Sequence, residues 1–158
     1  RQDRIRYDTP EFNGFSLGFS HANRDSHDAV IKYAGTLNNV KLEAAVAYAK
    51  PFPSAPHKQQ YNGSISILFP SGFNISFSSG VRKIKDGNRK DPVSIYTKFG
   101  YQFNLFSSGL TCLAFDIGQT RSLATNSGVA SLYGLHIVQN IDIAATELYL
   151  ALRKYTYK

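Results

Sequence analysis

The chain has 158 residues, with 18 lysines and arginines against 11 aspartates and glutamates, which gives a formal net charge of +7. This length suits a single domain, residues 1–158, and no run approaches the roughly 20 apolar residues of a membrane-spanning helix. The positive charge suits nucleic acid, acidic headgroups or anionic solutes. The densest basic groups, residues 82–85 and 89–90, are short and lie in a predicted loop, so no nucleic-acid partner is predicted.

The first half of the chain consists of five segments in which apolar and polar residues alternate. Side chains of a strand point alternately to its two faces, so this repeat of two predicts β-strands with one apolar face. In the second segment, for example, Phe15, Leu17 and Phe19 share a face opposite serine and glycine. The predicted strands cover residues 4–8, 12–22, 29–37, 40–48 and 61–69. Between them lie a break at Pro10, a polar loop at 23–28, a two-residue turn at 38–39 and a proline-rich loop at 50–57.

The second half continues the same repeat. Strands are predicted over residues 73–81, 93–103, 111–118 and 129–137, and from 146 onward. The last one alternates most cleanly, with Thr146, Leu148, Leu150 and Leu152 opposite Glu147, Tyr149, Ala151 and Arg153. Short turns are predicted at 70–72, 107–109 and 140–142, and polar loops at 83–92 and 121–128.

The ten predicted strands are joined by short turns and longer polar loops in strict alternation, and no segment has a helical period. Short turns on one side and long loops on the other are typical of outer-membrane barrels. Aromatic residues fall near the ends of the apolar face, where interfacial girdles lie. These residues are Tyr48, Tyr61, Phe69, Phe73 and Phe103. We therefore expect an all-β fold, an antiparallel transmembrane β-barrel. The alternative is a soluble or surface-exposed β-sandwich that packs its apolar face in a core.

Two stretches resemble gram-negative trimeric porins, in particular the alphaproteobacterial branch. Residues 4–18, Arg-Ile-Arg-Tyr-Asp-Thr-Pro-Glu-Phe-Asn-Gly-Phe-Ser-Leu-Gly, resemble the family's Arg-Tyr-Asp-Ser-Pro and Phe-x-Gly-Phe segment. Residues 138–155, from Val-Gln-Asn-Ile-Asp to Leu-Arg-Lys-Tyr, resemble its penultimate strand. The spacing of the strands between them also fits.

The resemblance implies a location in the bacterial outer membrane and a homotrimer in the full-length protein. Porins of this kind have sixteen strands, a constriction loop and a terminal phenylalanine, whereas this chain stops at Tyr157-Lys158. The sequence also contains no methionine and no recognisable signal peptide. We therefore expect a fragment or a truncated product that corresponds to about strands six to fifteen.

If the polar face lines a pore, its charged side chains are candidate pore-lining residues. The predicted site consists of Arg4, Arg6, Lys32, Lys41, Glu43, Arg82, Lys98, Asp116, Glu147 and Arg153, and Asp8 lies on the same face. Basic side chains outnumber acidic ones in this set, which favours a weak preference for anions. The alternative interpretation is that each of these charged residues is simply solvated and neither binds nor selects a solute.

The residues that could carry catalysis or bind a metal are few. His21, His27, His57 and His136 lack metal-ligand spacing, and Asp116 and Glu147 lie on predicted strands that are not neighbours. Cys112 is the only cysteine and is expected to be structural. No enzyme activity, metal or cofactor is predicted. An outer-membrane barrel enzyme that uses Asp116 or His136 is the alternative from that class.

The sequence thus predicts a water-filled channel for passive diffusion of small hydrophilic solutes and ions. Sieving by pore width and bias by wall charge would be its mechanism. Its expected partners are outer-membrane lipid, lipopolysaccharide and the solutes themselves.

Overall fold

The computed structural model describes residues 3–23, 25–123 and 126–158. The described chain is almost entirely β-strand. The strands are β1 (Arg4–Asp8), β2 (Phe15–Ala22), β3 (Ser26–Leu37), β4 (Val40–Lys50), β5 (His57–Leu68), β6 (Phe73–Ile84), β7 (Val93–Phe106), β8 (Gly109–Arg121), β9 (Val129–Ile141) and β10 (Thr146–Tyr157). One short 3₁₀-helix, Asp142–Ala144, lies between β9 and β10.

The strands form a single sheet in the order of the chain, β1 to β10, and each pairs antiparallel with its neighbours. The predicted all-β antiparallel fold of ten strands is confirmed. The sheet is not closed, because β1 and β10 are its two edges and are not paired with each other.

On β8 and β9, the two faces predicted from the sequence differ in exposure. On the apolar face, Phe115 and Leu135 remain 39% and 60% exposed. On the polar face, the Asp116 side chain and Gly134, its ladder neighbour on β9, are buried. A flat sheet would expose both faces equally, so this difference indicates that this part of the sheet curls toward its polar face.

The described residues contain almost no hydrophobic core, since Ala55 and Pro92 are the only apolar residues other than glycine among them that are buried. The accessible surface is 11021 Å², whereas a compact monomer of this mass would expose about 7,900 Å². The sandwich architecture is absent from the described residues, because their strands form one sheet rather than two facing ones.

The connections differ from the prediction at the first three strands. The loop predicted over residues 23–28 is wrong, because β3 already begins at Ser26 and pairs with β2 from there. The strand predicted over 12–22 begins only at Phe15, since Asn13 and Gly14 have positive φ of 50° and 84° and form a turn. The strict alternation of short and long connections therefore holds only from β3 onward.

The later connections follow the prediction. Asn38 and Asn39 form the two-residue β3–β4 turn with φ of 48° and 65°, the left-handed backbone that such hairpins require. The long connections are residues 51–56 and 85–92 and the described parts of 122–128, which are 122–123 and 126–128, and they lie at the same end of the sheet. We call this the loop end. No helix in the described ranges has the length and apolar character needed to cross a membrane.

Candidate functional site

Strand parity and register place all ten predicted site residues on the polar face. For example, Lys98 lies opposite Asp116 in the strand ladder, Asp116 opposite Gly134, and Gly134 opposite Arg153. These residues therefore form one row across β7 to β10. Glu43 lies in the continuation of this row on β4, through Ser66 and Ser76. The row joins residues that are more than 100 positions apart in the chain.

Asp116 is the centre of a hydrogen-bonded group that spans four strands. Tyr96 Oη on β7 donates to Asp116 Oδ2 at 2.8 Å, and His136 Nε2 on β9 lies 2.9 Å from the same oxygen. Arg153 Nη2 on β10 is 3.4 Å from it. The Asp116 side chain is fully buried, so these donors supply the stabilisation that water would otherwise give a carboxylate.

The glycine at position 134 makes room for this carboxylate. A methyl group at Gly134 would collide with Asp116 Oδ1, and glycine in a strand marks such a close approach. Asp116 Oδ1 itself is buried, and no described residue hydrogen-bonds to it. Arg153 reaches Asp116 across this gap, because Gly134 is its direct neighbour in the ladder.

A second charged group lies on β1 to β3. Arg4 donates through Nε to Ser20 Oγ at 2.9 Å and through Nη2 to Asp28 Oδ2 at 2.8 Å. Ser20 Oγ donates to the same Asp28 oxygen at 2.6 Å. Further along β1, Arg6 donates two parallel hydrogen bonds of 2.6 and 2.7 Å to the Asp8 carboxylate. This bidentate geometry fixes both side chains.

Asp28, Tyr96 and His136 are functional candidates that the sequence-based site omitted. Asp28 was assigned to a loop, although it has the same parity as Val30 and Lys32, which would have placed it on the polar face. Tyr96 and His136 also have polar-face parity. Their contact with Asp116, however, depends on the registers of two separate strand pairs, β7–β8 and β8–β9.

The remaining predicted site residues are not brought into ion pairs within the described part of the chain. They are Lys32, Lys41, Glu43, Arg82, Lys98 and Glu147. Glu147 and Arg153 lie on the same strand but do not form an ion pair, and Arg153 pairs with Asp116 instead. The segment 82–85, predicted as part of a loop, is mostly strand, since β6 extends to Ile84.

The loop end is held together by contacts between the long connections. Asp91 accepts from Lys83 Nζ at 2.8 Å and from the Ile84 backbone N–H at 2.9 Å. The bond from Lys83, followed by that from Ile84, holds the pKa of Asp91 below its ordinary value. Asn126 joins residues 85–92 to residues 122–128, accepting from Lys90 N at 2.8 Å and donating to Asn88 O at 2.9 Å.

The polar face carries charged, hydroxyl and carboxamide side chains. Asp116 contacts a histidine, but no serine or cysteine hydrogen-bonds to His136 in the described ranges. Those ranges also hold no group of three or more histidine, cysteine or acidic side chains that could hold a metal ion.

No protein-family model, curated protein or solved structure matches the chain. The resemblance to porins therefore stays a prediction carried by residues 4–18 and 138–155.

Proposed function

We propose that the chain forms the wall of a water-filled channel in a bacterial outer membrane, through which small hydrophilic solutes and ions diffuse. The observation that carries this proposal is the polarity of the sheet. Large apolar side chains on one face of the sheet remain exposed instead of packing in a core. The charged side chains of the predicted site all lie on the opposite face. A membrane barrel has this distribution, because its apolar face contacts lipid and its polar face contacts water.

Aromatic pairs near the strand ends support the same orientation. Tyr48 and Tyr61 lie with ring centroids 5.3 Å apart toward the loop end, and Phe69 and Phe73 lie 6.0 Å apart at the opposite end. Rings at two levels of the apolar face suit the two interfaces of a bilayer.

In such a channel, the backbone N–H and C=O groups along the two edge strands also need hydrogen-bond partners. Unpaired backbone N–H and C=O groups are not tolerated in lipid, so β1 and β10 would pair with each other or with further strands. Trimer formation, as the porin resemblance implies, would cover part of the apolar face.

Basic side chains concentrate at the loop end, which would face the outer leaflet. They are Lys50, Lys58, Arg82, Lys83, Lys85, Arg89, Lys90 and Arg121. Their charge suits the anionic headgroups of lipopolysaccharide, as basic clusters next to a membrane do.

The charges of the polar face favour a weak preference for anions. Arg4, Arg6 and Arg153 are neutralised by ion pairs with Asp28, Asp8 and Asp116. The remaining predicted pore-lining residues comprise four basic side chains and two acidic ones. The basic ones are Lys32, Lys41, Arg82 and Lys98, and the acidic ones are Glu43 and Glu147. The surplus is positive, and a wall of that sign attracts anions.

The test is the conductance of planar bilayers to which the detergent-refolded chain has been added, with the reversal potential measured in a salt gradient. We expect stable current steps and a reversal potential displaced toward that of the anion. Irregular leakage or no current from refolded protein would contradict the proposal. Solubility of the folded chain without detergent would favour a soluble all-β binding protein instead.

A further inference from the structure

The polar face contains a cavity of about 330 Å³ near the loop end. Two neighbouring rows of the sheet form it, one through Asn62, Ser94 and Thr120 and the next through Ser78 and Tyr96. Pro92 and Leu123, which belong to the long connections, complete its lining. Asp116 is not part of this lining, and Tyr96 is the residue that the cavity shares with the hydrogen-bonded group around Asp116.

The lining combines hydroxyl and carboxamide side chains with small apolar residues and contains no carboxylate. The hydroxyl and carboxamide side chains of the polar face among them are Gln60, Asn62, Ser64, Ser78, Ser94, Tyr96 and Thr120. One cation, Arg82, is present, and its Nε donates to Gln60 Oε1 at 3.4 Å. We propose that this cavity binds a small neutral carbohydrate of one or two rings.

Two serines provide hydrogen-bonding capacity that the described residues do not use. Ser64 and Ser78 face each other across β5 and β6, and neither Oγ has a hydrogen-bond partner within the described ranges. One step along the same strands, Ser66 and Ser76 satisfy each other at 2.6 Å. The pair in the cavity can therefore donate to and accept from the hydroxyl groups of a sugar, which carry both functions.

Tyr96 provides a flat apolar surface beside these polar groups. Its hydroxyl donates to Asp116 at 2.8 Å, which fixes the ring at the edge of the cavity. A sugar presents hydroxyl groups at its edge and C–H groups on its face, so a ring next to hydroxyls and amides matches both.

The size and charge of the cavity favour a neutral sugar over a phosphate. Its volume is at the lower end of the roughly 300–1,000 Å³ of small-molecule sites. A phosphate is bound best by several cationic or backbone N–H donors, whereas Arg82 is the one cation of the lining. This inference rests on the proposed function, because a diffusion channel would bring solutes past the cavity.

The experiment measures binding of maltose to the detergent-folded chain by saturation-transfer NMR and titration calorimetry, without a bilayer. The pocket variant is Ser64→Ala/Ser78→Ala, and the matched control is Ser66→Ala/Ser76→Ala on the same strands. We expect the pocket variant to bind maltose roughly tenfold more weakly, the loss of about 1.4 kcal/mol for two hydrogen bonds, and the control to bind as the unchanged chain does. Thr120→Val, which keeps the shape and removes a hydroxyl, is a second variant and should also weaken binding.

Equal weakening in the pocket and control variants, or no saturable binding, would overturn the inference. Tighter binding of glucose 6-phosphate than of glucose, lost in Arg82→Gln, would replace the neutral sugar by an anionic one and so contradict it. Maltose binding without conductance would leave the cavity intact and refute the channel. Conductance without maltose binding would support the channel and refute the sugar-binding cavity.

Discussion

At the scale of single residues, the Asp116 group shows how one carboxylate can be kept in a buried place on a polar wall. Tyr96, His136 and Arg153 all contact Oδ2, while Oδ1 fills the space left open by Gly134. The group therefore depends on the absence of a side chain at Gly134 as well as on its three hydrogen-bonding partners.

Replacing Gly134 by alanine should therefore destabilise the fold. The new methyl group would meet Asp116 Oδ1, and either the carboxylate or β9 would have to move. Overpacking of this kind costs about 1–3 kcal/mol. The midpoint of urea unfolding of the detergent-folded chain, followed by circular dichroism, should fall accordingly.

Gly63→Ala is the matched control for this substitution. Its Cβ would meet its nearest neighbour, Ala45 O, at 3.9 Å, an ordinary contact. We expect it to be neutral or to stabilise by up to about 1 kcal/mol, because alanine loses less backbone entropy on folding than glycine. An equal loss in both variants would show that the Asp116 contact does not matter.

At the scale of elements, the β3–β4 hairpin depends on two consecutive asparagines in the left-handed region. Asparagine tolerates this backbone better than other residues with a side chain, and a β-branched residue is strongly strained there. Asn39→Val should destabilise by about 1–2 kcal/mol, whereas Asn39→Gly should be neutral or stabilising. Urea unfolding of both variants measures the difference, and equal stability would contradict a left-handed turn.

The β6–β7 connection should respond to acid through Asp91. Since the pKa of Asp91 is lowered in the folded chain, its stabilising contacts are fully present above the ordinary value of about 3.9. They are lost as the pH falls through the lowered value. The Ile84 amide resonance should therefore titrate with a midpoint below about 3.9.

Lys83→Gln tests the cause of this shift. Without the ammonium group the midpoint should rise toward the ordinary value. A midpoint at or above about 3.9 in the unchanged chain would be inconsistent with the Lys83–Asp91 bond.

At the scale of the whole molecule, the two faces of the sheet should respond oppositely to a new charge. Phe99 on the apolar face and Gln102 on the polar face belong to the same strand, β7. In a bilayer, Phe99→Lys should cost about 2–4 kcal/mol near the midplane, while a lysine on the channel side is tolerated. Folding yield into lipid vesicles measures the difference, and equal yields for Phe99→Lys and Gln102→Lys would contradict a lipid-facing apolar surface.

The strands and their faces could be predicted because alternation is a local property. Whether Phe115 and Asp116 point to opposite faces depends only on strand geometry. The start of β3 was mispredicted because Asp28 and its neighbours are polar enough for a loop. They join the ladder since Arg4 and Ser20, on other strands, satisfy the Asp28 carboxylate.

The sequence by itself thus determined the number of strands, the polarity of each face and which charges share the polar face. The tertiary structure alone decided which of those charges meet, because contacts across strands depend on register, and register depends on where every turn begins and ends. It therefore took the fold to bring Tyr96, Asp116, His136 and Arg153 together, and to line one cavity with Ser64 and Ser78 while Ser66 and Ser76 bond to each other.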